Sequence, residues 1–309
     1  MSAPNTRKGT SKFPTRRTAF RRFSPERLAH HCRVSRRMAS HATLSERCLS
    51  MLPMAQQRFP NGMSPNLPNH ILLEICVTSL DYALAAQRAG ANRIELCSDL
   101  DCGGVTPSAR LMETIREQLR IPIHVLIRPR PGDFVYTAGE FSTMCKAIRN
   151  AIHLKMDGIV VGILDRHFRI DVPRTRQLVE LAHPLPVTFH RAFDETHSWQ
   201  EALEAVIQTG ARSLLTSGCR PKATDGLATL ALLVKEARGR LSVMPGGGIT
   251  PANVIRIVRA TSAREIHGSL LTPALRKDEE EGADRSRQTE RYYRRIFKVA
   301  STLRSIATW

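Results

Sequence analysis

Two short β-branched runs carry the same pair of reactive side chains at the same spacing: Glu74 and Cys76 in ILLEICVT, and Glu95 and Cys97 in RIELCSD. Residues two apart on a strand face the same way, so each run presents a carboxylate and a thiol to one face. Neighbouring strands lie about 5 Å apart, which brings Cys76 and Cys97 within reach of one ion. Two thiolates that close suit a soft ion, Cu(I) or Zn(II), and His190 or His267 would complete such a site. The same cysteines also read as small buried hydrophobes, a common state of free cysteine, and no CxxC pattern supports a metal.

More polar groups fall in phase on other runs. His124 and Arg128 share a face in IPIHVLIRPR, with Arg130 beyond; PVTFHRAF ends in His190 and Arg191, followed by Asp194; RSLLTSG supplies Thr216 and Ser217, and EIHGSL supplies His267 and Ser269. Charged groups inside apolar strands are costly unless they line a wet cavity. Glu74, Glu95, Arg128 and His190 converging from different strands therefore suggest acid–base chemistry, with Glu74 or Glu95 as general base and His190 as general acid. An anion clamp is suggested by Arg128 and Arg130 in RPRPGD and by Gly246, Gly247 and Gly248 in VMPGGGIT, where glycine lets backbone amides approach a phosphate or carboxylate. A tight turn that only glycine can make is the competing reading of those three residues.

The elements that position these groups repeat. From residue 71, eight apolar runs begin 22 to 37 residues apart, at 71–78, 93–99, 121–130, 158–164, 186–193, 212–218, 241–250 and 265–270. Between them lie stretches with apolar residues at helical spacing, such as SARLMETIREQL and SWQEALEAVIQTG. Gly90, Gly210 and Gly239 stand where helices would stop, and Pro107, Pro173 and Pro251 near helix starts. Eight strand–helix units in about 200 residues fit an α/β fold of the (β/α)8 TIM-barrel type. An open doubly wound sheet usually carries fewer strands, and no GxGxxG follows the first run. The expected organisation is a disordered Arg/Ser-rich extension over 1–68, the barrel over 69–272, and a charged connector with a terminal amphipathic helix over 273–309.

Charge is concentrated at the beginning of the chain. The 309 residues carry 46 Lys and Arg against 28 Asp and Glu; residues 1–70 hold 13 of the basic groups and two acids, Glu26 and Glu46. Such a segment cannot bury enough apolar surface to offset its ordering entropy. Its composition also fits a mitochondrial transit peptide or a nucleic-acid-binding tail. Because the excess sits there, the overall charge is poor evidence that the folded part binds nucleic acid. No run approaches 18 consecutive apolar residues, so no membrane helix is expected. Seven cysteines, an odd number without a secretory apolar region, favour reduced thiols over a disulfide scaffold.

Taken together, RIELC, RPRPGDF, VTFHRAFD, LLTSG and PGGGIT, in this order across residues 71–269, resemble the CutC copper-homeostasis family. The resemblance implies a TIM barrel that self-associates, located in cytoplasm and nucleus. It also implies copper binding, with Cys76 and Cys97 matching the proposed Cu(I) ligands, and a barrel mouth containing Glu74, Glu95, Arg128 and His190. Pro131 replaces a usual glycine. Neither the segment after Ser269 nor the basic extension follows the family pattern. The implied partners are the copper ion and further copies of the chain, without a membrane. A second reading of the same mouth is an enzyme acting on a small anionic or phosphorylated substrate.

Overall fold

In a computed structural model the chain is described over residues 70–272, Leu275 and 284–307; the extension expected over 1–68 lies outside the described residues. The eight apolar runs form eight parallel strands: β1 (Leu72–Val77), β2 (Arg93–Leu96), β3 (Ile123–Leu126), β4 (Gly158–Val161), β5 (Val187–Phe189), β6 (Ser213–Thr216), β7 (Ser242–Pro245) and β8 (Glu265–Gly268). Hydrogen-bonded neighbours run from β7 down to β1 and on to β8. The seam between β7 and β8 is bridged by Ser242 Oγ, which donates to Glu265 Oε1 at 2.6 Å.

The helices between them are α1 (Leu80–Arg88), α2 (Ala109–Gln118), α3 (Ala138–His153), α4 (Val172–Ala182), α5 (Trp199–Thr209), α6 (Leu227–Ala237) and α7 (Val254–Thr261). Their starts follow from local chemistry. Ser79, Ser108, Asp171 and Ser198 accept from backbone amides of the first turn, and Thr137 with Glu140 forms a reciprocal capping box. Pro173 sits in the first turn of α4, and Gly210 ends α5 in the left-handed conformation.

Strand alternation sorts the side chains. Ile75, Val77, Ile94, Ile123, Val125, Ile159 and Val161 point outward into the layer shared with the helices and are fully buried. The opposite set, Glu74, Arg93, Glu95, His124, Thr188 and His267, is buried as well, so the barrel interior is unusually polar. Two glycines of the β4 run make room for rings from neighbouring strands. A Cβ on Gly158 would collide with the His124 imidazole, and one on Gly162 with that of His190.

The charged connector expected after the barrel gives way to helix at Arg285, earlier than the aromatic-rich end of the chain suggested. This helix, α8 (Arg285–Ala307), packs between α1 and α7 and so fills the last place in the outer ring. Tyr292 is fully buried against Tyr82, with ring centroids 4.6 Å apart, and its hydroxyl donates to the Cys76 carbonyl at 3.2 Å. Arg295 donates to the Leu270 carbonyl at 2.9 Å. No helix among the described residues is long and apolar enough to cross a membrane.

Candidate functional site at the barrel mouth

A cavity of about 490 Å³ opens at the C-terminal ends of the strands, where barrels of this kind carry their chemistry. Cys76, Glu95, Cys97 and His267 line it, as do Arg128, Phe134 and His190, and Arg191 with Gly247, Gly248 and Thr250.

Register places the first group. Cys76 stands opposite Glu95 on β1 and β2, and Glu74 opposite His267 on β1 and β8. The sulfurs of Cys76 and Cys97 are 3.4 Å apart and both side chains are buried. The hydrogen bond with Cys97, together with burial and the nearby Glu95, pushes the Cys76 thiol well above its ordinary pKa.

Beneath the thiols lies a chain of charges. Glu265 accepts from Arg93 at 2.8 Å, Arg93 also donates to Glu74, and Glu74 Oε1 lies 2.8 Å from His267 Nδ1. His267 Nε2 is 3.5 Å from Glu95 Oε2. Burial opposes a charge on His267, but Glu95 and Glu74 outweigh it and raise its pKa, so the ring lies between the two carboxylates. Burial pushes the Glu95 carboxyl up, with the Glu74 charge adding to it and His267 pulling the other way.

The second wall behaves differently. Arg128 donates to the carbonyls of Cys102, Gly104 and Gly132 at 3.0, 2.9 and 2.7 Å. Its guanidinium lies 4.9 Å from the Phe134 ring, which in turn packs 4.9 Å from the His190 ring. Burial, with the Arg128 charge beside it, drives His190 down to about 3. His190 Nδ1 accepts from the Ala192 amide at 3.1 Å, so the neutral ring carries its hydrogen on Nε2. That atom is buried and has no hydrogen-bond partner among the described residues. In that state the ring offers a neutral Nε2–H as a hydrogen-bond donor, where the sequence suggested a general acid.

Three other expected site residues fall elsewhere. Glu74 is fully buried below the cavity floor and does not line it; tied to Arg93 and His267, it orients the histidine and is not placed to take a substrate proton. Arg130 does not line the cavity either. The chain folds back at Pro131–Gly132, and Arg130 pairs with Asp133 and Glu140. Of the three consecutive glycines, Gly247 and Gly248 line the cavity, both with positive φ, whereas Gly246 lies against Leu215 and His267.

Asp194, Thr216 and Ser217 are structural. The Asp194 carboxylate accepts from the Thr216 and Ser217 hydroxyls and from the Ser217 and Cys219 amides, fixing the loop after β6. It also holds Arg191 Nε at 2.8 Å while Arg191 Nη2 donates to Ser217 at 2.9 Å, which sets the guanidinium beside Gly247. The residue that sequence reasoning missed is Arg93. It stands two before Glu95 on RIELC and shares its face, so the alternation that singled out Glu95 and Cys97 also marks Arg93.

Cys76, Glu95 and His267 place one donor atom each within 4.8 Å of the others. Sulfur, carboxylate and imidazole together can hold a metal ion, and the cavity above them can admit a small ligand.

Known proteins resemble this chain in sequence and in fold. A human protein described as copper homeostasis protein cutC homolog is 44% identical over 212 residues, covering 69% of this chain and 77% of its own length. Its mouse counterpart is 46% identical over 201 residues, 65% of this chain and 74% of its own. The solved CutC structure from Streptococcus agalactiae superposes with a TM-score of 0.62 at 32% identity, covering 65% of this chain and all of that one. A tryptophan synthase α subunit from Legionella pneumophila, at 14% identity and a TM-score of 0.55 over 76% of this chain and 93% of its own, shares the barrel fold alone. The CutC family profile matches residues 71–272, which contain all eight strands and every residue of the cavity except Arg295, and the chain belongs to the CutC family of copper homeostasis proteins.

Proposed function

We propose that the chain binds Cu(I) as cargo between Cys76 and Cys97. The observation that carries this is the pair of sulfurs 3.4 Å apart, one on β1 and one just past the end of β2, both buried and both lining the cavity. Sulfurs about 2.3 Å from one ion lie at most about 4.6 Å apart, so the pair takes up an ion with a small opening. Two thiolates favour Cu(I) over harder ions. The names of the human and mouse relatives support the same reading. The test is an anaerobic Cu(I) titration against a strong competing chelator, beside Cys76→Ser/Cys97→Ser. Tight one-per-chain uptake lost in the double variant supports the assignment, and uptake indifferent to both substitutions removes it.

A second reading rests on the opposite wall. Neutral His190 with its free Nε2, Arg128, and the Gly247–Gly248 turn beside Arg191 surround a space that fits a small anion. An enzyme acting on a small anionic or phosphorylated substrate would use Glu95 as base and His190 as donor to a developing oxyanion. A rise in melting temperature with phosphate or a sugar phosphate, lost in Arg191→Ala, supports it; a flat response across a broad panel of anions counts against it.

Self-association and a cytoplasmic and nuclear address complete the proposal, supported by the family resemblance. Sedimentation of the full chain tests the first. A fluorescent reporter fused to residues 1–60 tests the second against the mitochondrial alternative that the Arg-rich composition suggests.

A further inference from the structure

The thiol pair is not the whole donor set at the cavity floor. Cys76 faces Glu95 across one ladder step, and His267 enters from the other side of β1. The three donor atoms, one sulfur, one carboxylate oxygen and one ring nitrogen, lie within 4.8 Å of one another on buried residues. Ion–donor lengths of about 2.0–2.3 Å in a tetrahedral site set the donors about 3.3–3.8 Å apart. An ångström of side-chain adjustment therefore closes the set on one ion.

Two features outside the donors support a metal there. Glu74 sits 2.8 Å from His267 Nδ1, which leaves Nε2, 3.5 Å from Glu95 Oε2, as the ring nitrogen turned toward the other donors. This is the outer-shell carboxylate–histidine arrangement that fixes ring orientation in metal sites. The charges in contact also leave room for a cation. Glu74, Glu95 and Glu265 are three carboxylates facing the Arg93 guanidinium and the His267 ring, so an ion that displaces the His267 proton keeps the cluster's balance of charge.

We propose that Cys76, Glu95 and His267 form a mononuclear site for a borderline divalent cation of the Zn(II) class, distinct in preference from the Cu(I) pair. One sulfur, one oxygen and one nitrogen suit Zn(II) better than Cu(I), which prefers the two thiolates. All three donors line the cavity, so the fourth position opens into it. Three protein ligands with one open position is the arrangement of a catalytic rather than a structural zinc site. A carboxylate or phosphate oxygen of a small anion is the chemical class that would fill that position. The site shares Cys76 with the copper reading but does not depend on it.

The experiment exploits the residues the two sites do not share, Cys97 on one side and Glu95 and His267 on the other. The reduced full-length protein is titrated with Zn(II) against a chromophoric chelator, with Cu(I) uptake measured in parallel, for wild type, Cys97→Ser, Glu95→Gln and His267→Gln. Zn(II) affinity is expected to fall at least about ten-fold in Glu95→Gln and His267→Gln, a loss that even outer-shell changes bring, and to hold within about three-fold in Cys97→Ser. Cu(I) uptake should show the opposite dependence. Wild type loaded with Co(II) should display a tetrahedral spectrum with one thiolate charge-transfer band, kept in Cys97→Ser and lost in Cys76→Ser; this decides the matter even if a His267 variant fails to fold. Zn(II) affinity unchanged by Glu95→Gln, lost with Cys97→Ser, or absent in wild type overturns the proposal. Loss of Cu(I) binding alone overturns only the copper reading.

Discussion

Replacing Glu74 by glutamine keeps the side chain's shape and removes one charge from the centre of the barrel. Glu74 is fully buried, bonded to Arg93 and 2.8 Å from His267 Nδ1. Burial alone would raise its pKa. The His267 hydrogen bond and the charges of Arg93, His267 and His124 outweigh burial and hold the carboxyl at about 2, against an ordinary 4.5. At about 1.4 kcal/mol per pH unit, that shift corresponds to about 3 kcal/mol of stability at neutral pH. Removing one member of a buried charged pair gives a similar figure, about 3–5 kcal/mol, because the partner is left uncompensated. A domain of this size loses about 2–4 °C per kcal/mol, so 3 kcal/mol lowers the melting temperature by about 6–12 °C. A carboxylate with a depressed folded pKa contributes fully above its unfolded value and loses that contribution as pH falls toward the folded one. The difference between wild type and Glu74→Gln is therefore complete at pH 7, fades between pH 4.5 and 2, and is below about half by pH 3. Urea midpoints at pH 7 and pH 3 measure it. A penalty under about 1 kcal/mol at pH 7, or one that persists undiminished at pH 3, would refute the view that Glu74 is an ionised hub.

Acid should destabilise the protein through His190, whose neutral ring is held at about 3. Below pH 6.5 the unfolded chain gains a proton that the fold refuses, adding a slope of about 1.4 kcal/mol per pH unit down to about pH 3. His190→Gln should flatten the urea midpoint against pH between 6.5 and 4, and equal slopes would sink the idea. Gly158→Ala drives a Cβ into the His124 ring and should cost about 1–3 kcal/mol by overpacking. Gly139→Ala in α3 meets nothing closer than 3.9 Å and should stabilise by up to about 1 kcal/mol, so thermal melts of the two variants should move in opposite directions. Tyr292→Phe leaves the Cys76 carbonyl without its donor and should cost about 1 kcal/mol. An unchanged melting temperature would show that this hydrogen bond adds nothing to the hold on α8.

The eight strands and the helices between them were legible from alternation and helical periodicity, because those patterns are local and the caps that end each helix lie within a few residues of it. Which residues share the interior was legible too. Once the parity of RIELC is set, Arg93, Glu95 and Cys97 must point the same way. The helical end of the chain could be read, but its start at Arg285 could not, since SRQTER looks like a solvated connector until α1 and α7 offer it a surface.

Sequence spacing could not say how deep each polar group sits. Glu74 and Cys76 share a face, yet one lies beneath the floor with Arg93 and the other lines the cavity, because a barrel stacks its inward residues in layers. Arg128 and Arg130 are two apart in RPRPGD, but the turn at Gly132 keeps one at the mouth and returns the other to Asp133 and Glu140. The charge state of His190 was likewise invisible, since it depends on burial and on Arg128 from another strand. Residue type and spacing determined which groups face inward; only the closed barrel decided which of them meet, which carry charge and which are left free to bind.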